Sequence, residues 1–236
     1  MDLLAPLRAA PDETALFFDV DGTLAPIVSR PELAAVPPST RAQLSRLVED
    51  YLLVACVSGR PGEEAARLVG VEGVRYVGNH GLELDPGAAA LAGRIAEFRD
   101  AVGLPVEDKG LSLTYHYRQA EDQDAALAEL ERVASLATER GLDARWGRKV
   151  LEVRPRIDAD KGTAVRALVA EAAARRGLYA GDDTTDLDAF AGLREANLDH
   201  TVLIAVASEE SPGELERSAD LVVESPEELA KLLESL

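Results

Sequence analysis

The stretch of sequence best equipped for chemistry is the aspartate pair Asp19 and Asp21, which follows the apolar run 15–18. That run is long enough for one buried strand, and Gly22 after the pair is typical of a turn. In open parallel sheets ligands bind at the carboxyl ends of strands, so carboxylates at this point could take part in catalysis. Burying two carboxylates costs free energy unless a cation accompanies them. An acidic loop after a core strand, without any site, would show the same sequence pattern. The pair therefore needs support from other parts of the chain.

Polar residues that could join this pair follow other apolar runs or begin a helix. They are Ser58 and Gly59 after 51–57, Asn79 and His80 after 74–77, Asp182 and Asp183 after 178–180, and Lys161 at a predicted helix start. Taken singly, they are also explained as a turn, a solvated lysine or a helix cap. Converging carboxylates need a hard divalent cation, and an oxygen-only donor set favours Mg²⁺. We therefore predict metal ligation by Asp19, Asp182 and Asp183 and, through its main-chain carbonyl, by Asp21. Phosphoryl contacts are predicted from Ser58 and Lys161, and a supporting role behind the metal for Asp186.

The alternation of strands and helices predicts a doubly wound, Rossmann-like parallel sheet, interrupted by an insert. Before the insert, the pattern indicates helices at 40–50 and 63–69 and strands at 51–57 and 74–77. After the insert, a helix is predicted from Lys161 to about Arg176, with Asp160 as N-cap and Gly177 as its C-terminal stop. Further strands are predicted at 178–180, 201–207 and 221–223.

The insert, residues 85–157, is predicted to be an α+β cap domain between the two parts of a catalytic core, residues 1–84 and 158–236. Its pattern indicates helices at 88–102 and 122–140 and strands at 111–118, around 145–146 and at 150–153. Apolar and polar residues alternate along 111–118, which indicates an antiparallel sheet with one polar face. The insert carries 11 of the 25 basic and 13 of the 43 acidic residues, so its net charge is −2 against −16 for the remainder.

Composition excludes several classes of function. A net charge of −18 argues against a nucleic-acid partner. The single cysteine, Cys56, lies in an apolar run and cannot form a disulfide within the chain, which fits a reducing compartment. The acidic N-terminus lacks the charge pattern of a signal peptide, and no apolar run has the length of a membrane span. We expect a cytoplasmic, monomeric protein without a membrane partner.

Four short motifs together resemble the haloacid dehalogenase superfamily. They are the segments around Asp19, Ser58, Lys161 and Asp182. The resemblance implies that Asp19 attacks phosphorus to form an aspartyl phosphate, and that Asp21 protonates the leaving alkoxide and then activates water. Dehalogenases of the superfamily lack the second aspartate, so its presence points to a phosphatase or a mutase.

Longer segments of both predicted domains resemble the trehalose-6-phosphate phosphatase family. They are 16–27, 78–83, 107–113, 116–118, 147–155 and 181–190. The resemblance implies Mg²⁺-dependent hydrolysis of trehalose 6-phosphate and sugar-phosphate binding by Gly59, Arg60, Asn79, His80, Glu83, Lys109, His116, Arg148 and Glu152. Purely structural roles stay open for Glu83, His116 and Arg148, and His200 is given no role. Leu187 departs from the family pattern, which usually has an acidic residue there.

Two other functions fit parts of this pattern. One is a phosphatase or mutase that acts on another sugar phosphate, which the cap motifs disfavour. The other is an inactive sensor that binds sugar phosphate, which the intact Asp19, Asp21, Ser58, Lys161 and Asp182 disfavour. Because no synthase segment precedes the phosphatase motifs, we expect a free-standing phosphatase.

Overall fold

The chain divides into two compact units. The computed structural model describes residues 2–28, 33–147, 149–208 and 211–236. Unit 1 contains the chain up to Gly81 together with Ala159–Leu236, and unit 2 is Leu82–Asp158. The predicted binding residue Arg148 lies outside the described residues. Among the described residues, no helix is both long enough and apolar enough to cross a bilayer.

Unit 1 begins with short strands separated by helices. The elements are α1 (Ala5–Arg8), β1 (Thr14–Phe18), α2 (Pro38–Asp50), β2 (Leu53–Val57), α3 (Gly62–Val69) and β3 (Arg75–Val77), followed by a 3-10 segment at Asn79–Leu84. All five residues of β1 are buried. A strand with both faces buried reads as one continuous apolar run, which is how β1 reads in the sequence.

Unit 2 is built from two helices and an antiparallel sheet. Its elements are α4 (Pro86–Val102), β4 (Glu107–Asp108), β5 (Leu113–His116), α5 (Gln123–Glu139), β6 (Leu142–Gly147) and β7 (Val150–Pro155), with described strand order β4-β5-β7-β6. One sheet face packs on the helices through Leu113, Tyr115, Leu151 and Val153. The opposite face carries a ladder of paired residues across the sheet: Glu107, Thr114, Glu152 and Arg145. The alternation predicted for 111–118 thus produces one apolar and one polar face.

The chain then returns to unit 1 and completes its sheet. The elements are α6 (Lys161–Ala172), β8 (Arg176–Gly181), α7 (Thr185–Glu195), β9 (His200–Val206), α8 (Gly213–Ser218), β10 (Leu221–Val223) and α9 (Pro226–Leu233). The six described strands are all parallel, in the order β10-β9-β8-β1-β2-β3. These two sheets confirm the predicted fold class of a doubly wound core with an α+β insert.

The position of β1 determines where a ligand can bind to unit 1. From β1 the chain adds β2 and β3 on one side, and after the insert it adds β8, β9 and β10 on the other. The order therefore reverses at the junction of β1 and β8. In open parallel sheets the crevice at such a reversal, beyond the carboxyl ends of the strands, is where ligands bind. Asp19 and Asp182 follow these two strands directly.

The predicted end of the helix that begins at Lys161 was wrong. The helix stops at Ala172, where Ala173 takes the left-handed conformation with φ 53°, and Gly177 lies inside β8. Alanine gives no sequence signal for a left-handed cap, whereas Gly177 does resemble one. The reason for glycine at 177 is packing, because a Cβ there would come within 2.8 Å of Leu193 and 2.9 Å of Leu198.

Replacing Ala173 by glycine is expected to stabilise the protein. Glycine adopts positive φ without the steric cost that alanine bears, so Ala173→Gly should raise the free energy of unfolding by about 0.5–1 kcal/mol. The matched control is Ala170→Gly at an exposed interior position of the same helix, which should lower it by about 1 kcal/mol. Urea unfolding measures both. Equal destabilisation by the two substitutions would contradict the left-handed cap.

Candidate active site

A buried lysine joins the end of β1 to the first turn of α7. Lys161 is the first residue of α6, and its Nζ donates hydrogen bonds of 2.8 Å to Asp19 Oδ1 and to Asp186 Oδ1. A reciprocal capping box between Asp160 and Thr163 fixes the start of that helix. Burial lowers the pKa of Lys161, but the two carboxylates outweigh it and hold this pKa well above its usual value. The side chain is therefore an ammonium ion.

Asp186 organises the site through four hydrogen bonds. Oδ1 accepts from Lys161 Nζ and from the Tyr179 hydroxyl at 2.7 Å, while Oδ2 accepts from the backbone N–H groups of Asp182 at 2.9 Å and Asp183 at 3.0 Å. The side chain is fully buried. With two donors on each oxygen, Asp186 supports its neighbours and has little capacity left for a metal.

Asp182 is held against the loop that carries Asp19. Its Oδ1 accepts a hydrogen bond of 3.1 Å from Thr23 Oγ1. Gly22 has φ 84°, and a Cβ at this position would overlap the Asp182 carboxylate. A Cβ at Gly181 would overlap the Asp186 carboxylate in the same way. Both glycines allow the strand-end loops to approach these acidic side chains closely.

The carboxylates of Asp19, Asp182 and Asp186 form a cluster with one oxygen of each within 4.8 Å of the others, in which Asp19 and Asp182 could hold a metal ion. Burial raises the pKa of Asp19 well above its ordinary value, and burial together with Asp186 and Asp183 raises the pKa of Asp182 to about 8. Three carboxylates and one ammonium leave an excess charge of −2 when all are ionised. A divalent cation would balance that excess, so the donor set fits a metal.

The other two predicted metal residues lie outside this cluster. The Asp21 carboxylate accepts two hydrogen bonds from the Arg60 guanidinium, at 2.6 and 2.7 Å, and Arg60 also pairs with Glu64. Asp183 Oδ1 accepts from the backbone N–H and the hydroxyl of Thr185, at 2.7 and 2.6 Å, at the beginning of α7. Metal ligation by Asp183 therefore stays a prediction without support from its carboxylate, and ligation by Asp21 stays a prediction that uses its main-chain carbonyl instead.

Ser58, predicted to contact the phosphoryl group, and the predicted substrate-binding residues Gly59, Arg60, Asn79 and His80 form an interlocked pair of turns. Ser58 is buried, and its Oγ accepts a hydrogen bond of 3.2 Å from the Arg60 backbone N–H. Asn79 and His80 have φ of 51° and 52°, and their N–H groups donate to Arg60 O and Ser58 O, each at 2.9 Å. A Cβ on Gly59 would lie 2.6 Å from the His80 ring. Left-handed backbone at two non-glycine residues is typical of a functional site.

The predicted sugar-binding residues of unit 2 are placed on or near the polar sheet face. Glu152 lies in β7 between buried Leu151 and Val153. His116 Nε2 and Glu107 Oε2 are 2.7 Å apart, and Lys109 Nζ lies 3.9 Å from Glu107 Oε1. Glu83 is exposed.

Comparison with known proteins identifies the family. The sequence matches the family model described as Trehalose-phosphatase at residues 17–90 and 97–227, which is most of the chain. The chain belongs to the trehalose-phosphatase family. This confirms the resemblance noted from the sequence. The trehalose-phosphate phosphatases of Mycobacterium marinum and Mycobacterium avium are 35% and 33% identical to it, over 92% and 94% of this chain and 60% and 61% of theirs. The chain thus spans about three fifths of the length of these relatives.

Solved structures share the fold. A protein described as trehalose-6-phosphate phosphatase related superposes with a TM-score of 0.75 at 24% identity, covering 94% of this chain and 96% of that one. Aspergillus fumigatus trehalose-6-phosphate phosphatase superposes with a TM-score of 0.65 at 23% identity, covering 98% and 95%. At these identities the likeness shows the common fold of the two chains.

The raised pKa of Asp182 predicts how the metal-free protein responds to pH. This carboxyl group keeps its proton up to about pH 8 in the folded state but loses it near pH 4 in the unfolded state. Its contribution to stability is therefore fully present below about pH 4 and is lost as the pH rises through about 8. In EDTA, the free energy of unfolding should therefore fall between about pH 5 and about pH 8.

Asp182→Asn is the control, because its amide does not titrate. The free energy of unfolding of this variant should fall less over the same pH range. Added Mg²⁺ should stabilise the wild type more at about pH 8 than at about pH 5. Parallel pH profiles for the two proteins in EDTA would show that Asp182 is already ionised without metal.

Proposed function

We propose that the protein hydrolyses trehalose 6-phosphate to trehalose and phosphate, in two steps through an aspartyl phosphate at Asp19. The observation that carries the proposal is the buried Asp19–Lys161 pair at the carboxyl end of β1, in a chain of the trehalose-phosphatase family. The named activity of the relatives supports the substrate class.

In the first step the Asp19 carboxylate attacks phosphorus, and the bond from phosphorus to the sugar oxygen breaks. Asp21 gives its proton to the departing alkoxide. In the second step Asp21 takes a proton from water as that water attacks phosphorus, so that Asp19 and phosphate are released and Asp21 is protonated again. No proton is gained or lost by the enzyme over the cycle.

Electrostatic repulsion must be overcome before Asp19 can attack. A carboxylate about 4 Å from one phosphate charge is repelled by roughly 4 kcal/mol at an effective dielectric of about 20, and a dianion by about twice that. The Lys161 ammonium, bonded to Asp19 at 2.8 Å, offsets part of this repulsion. Asp186 also holds this ammonium, and we infer that the ammonium contacts phosphoryl oxygens beside Asp19.

The residues that would hold Mg²⁺ are Asp19 and Asp182. We infer Mg²⁺ because the donors are carboxylate oxygens. When bound, the ion would supply positive charge at the phosphoryl group. Neither Asp19 nor Asp182 has both carboxylate oxygens engaged by the hydrogen bonds found among the described residues, which leaves each an oxygen for this purpose.

Arg60 controls the position of Asp21. The two-point hydrogen bond between their side chains fixes the carboxylate beside the β1 loop. Before Asp21 can donate a proton to a leaving group, this pair has to open. We infer that Arg60 then becomes available to the substrate, in agreement with its predicted role in substrate binding.

Sugar recognition is assigned to the polar sheet face of unit 2. A ladder of carboxylate, hydroxyl and guanidinium groups suits the many hydroxyls of a disaccharide, since each can donate or accept. Glu152 and Lys109 are the residues assigned to sugar hydroxyls. The remaining expectations, a cytoplasmic location and a monomer, stay predictions.

Phosphate release from a panel of sugar phosphates and one aryl phosphate, with and without Mg²⁺, tests this function. We expect trehalose 6-phosphate to be preferred among the sugar phosphates and the activity to require Mg²⁺. Asp19→Asn should abolish turnover of every ester while thermal unfolding remains cooperative, because an amide cannot form the intermediate. Preference for a different sugar phosphate would redirect the assignment, and turnover by Asp19→Asn would exclude the covalent route.

Specificity should be separable from chemistry. Glu152→Ala and Lys109→Ala each leave sugar-binding groups unpaired, which costs about 1–3 kcal/mol, or roughly 5- to 150-fold in kcat/KM for trehalose 6-phosphate. Hydrolysis of the aryl phosphate should change by less than about 2-fold, since that ester carries no sugar. Arg132→Ala, on the exposed side of α5, is the control and should affect neither substrate. Equal losses on both substrates would mean that the two residues support the fold.

A further inference from the structure

The hydroxyl of Tyr179 is linked through one intervening residue, Asp186, to the lysine that contacts the nucleophile. It donates to Asp186 Oδ1 over 2.7 Å, and the same oxygen accepts a hydrogen bond of 2.8 Å from Lys161 Nζ. Lys161 Nζ also donates to Asp19 Oδ1 over 2.8 Å. The ammonium is therefore shared between two carboxylates, and Tyr179 donates to one of them.

Competition at Asp186 Oδ1 determines how strongly that carboxylate holds Lys161. When the hydroxyl donates to Oδ1, part of the carboxylate charge is satisfied by a neutral group. Without the hydroxyl, Lys161 would be the one described donor to this oxygen. The ammonium would then be drawn toward Asp186 and away from Asp19 and the phosphoryl group.

Tyr179 occupies a buried position in the middle of the sheet. Tyr179 lies within β8, opposite Phe17 of β1 and Leu203 of β9, and is fully buried. Its ring meets that of Phe190 edge to face, with centroids 5.9 Å apart and planes at 80°. A phenylalanine would fill this space equally well, so packing alone does not explain the hydroxyl.

We propose that Tyr179 is a positioning residue of the phosphatase, whose hydroxyl keeps the Lys161 ammonium available to Asp19. The inference rests on the proposed function, because Lys161 matters to the rate only if Asp19 is the nucleophile. Tyr179 acts through Asp186 and Lys161 and contributes no atom to the reaction.

Tyr179→Phe removes the hydroxyl and keeps the ring, and Phe190→Leu is the matched control that removes the ring partner and keeps the hydroxyl. With an aryl phosphate and saturating Mg²⁺, kcat of Tyr179→Phe should fall about 5- to 50-fold while KM changes by less than about 2-fold. Phe190→Leu should keep kcat within about 2-fold of the wild type, although its unfolding temperature should fall at least as far as that of Tyr179→Phe. A normal kcat in Tyr179→Phe, or an equal loss in Phe190→Leu, would overturn the positioning role.

A double-mutant cycle in urea unfolding tests the shared carboxylate without measuring activity. Tyr179→Phe and Lys161→Met should be coupled, so that the unfolding constant of the double variant departs at least about 5-fold from the product of the single effects. Effects that multiply to within about 2-fold would overturn the inference. A wild-type chain that cleaves no phosphate ester would overturn the proposed function, whereas an active wild type with uncoupled variants would overturn only the role of the hydroxyl.

Discussion

The site depends on the burial of three carboxylates around one ammonium ion. Asp19 and Asp186 each accept a hydrogen bond from Lys161 at 2.8 Å, and Asp182 lies in the same cluster. Such a group is unstable unless every charge has a partner, so the neighbouring loops are arranged to supply donors and to leave room. The capping box that starts α6, the backbone N–H groups at the end of β8 and the glycines at 22 and 181 all serve this requirement.

The same constraint explains how a chain of net charge −18 could accept the anionic substrate proposed for it. The field of the whole molecule repels a sugar phosphate, but repulsion between exposed charges is screened beyond about 8–10 Å in physiological salt. Inside the site, Lys161 and Arg60 are each held by two carboxylates and so have fixed positions. In the proposed mechanism, local cations and a divalent ion would thus decide the interaction with the phosphoryl group.

Much of this arrangement could be predicted from the sequence, because β1 and β8 read as apolar runs that end directly at Asp19 and just before Asp182. The hydrogen-bond and ion-pair partners that depend on three-dimensional packing could not be predicted from the sequence. Tyr179 looks like an ordinary core aromatic, and the pairing of Arg60 with Asp21 joins positions 39 residues apart. The two-residue strand at Glu107–Asp108 has no apolar pattern, and the left-handed cap at Ala173 has no glycine to mark it.

The central claim is that Asp19 becomes phosphorylated, and chemical trapping tests it most directly. Asp21→Asn should slow both steps with trehalose 6-phosphate, but the leaving group of an aryl phosphate needs no proton, so that with this ester the slow second step lets the intermediate accumulate. Quenching during turnover of the aryl phosphate and reduction with borohydride then convert the acyl phosphate to an alcohol. Peptide mass spectrometry should then find homoserine at position 19 and unmodified aspartate at positions 182, 183 and 186. Phosphate release without any modification at Asp19, or homoserine at another aspartate, would contradict the central claim.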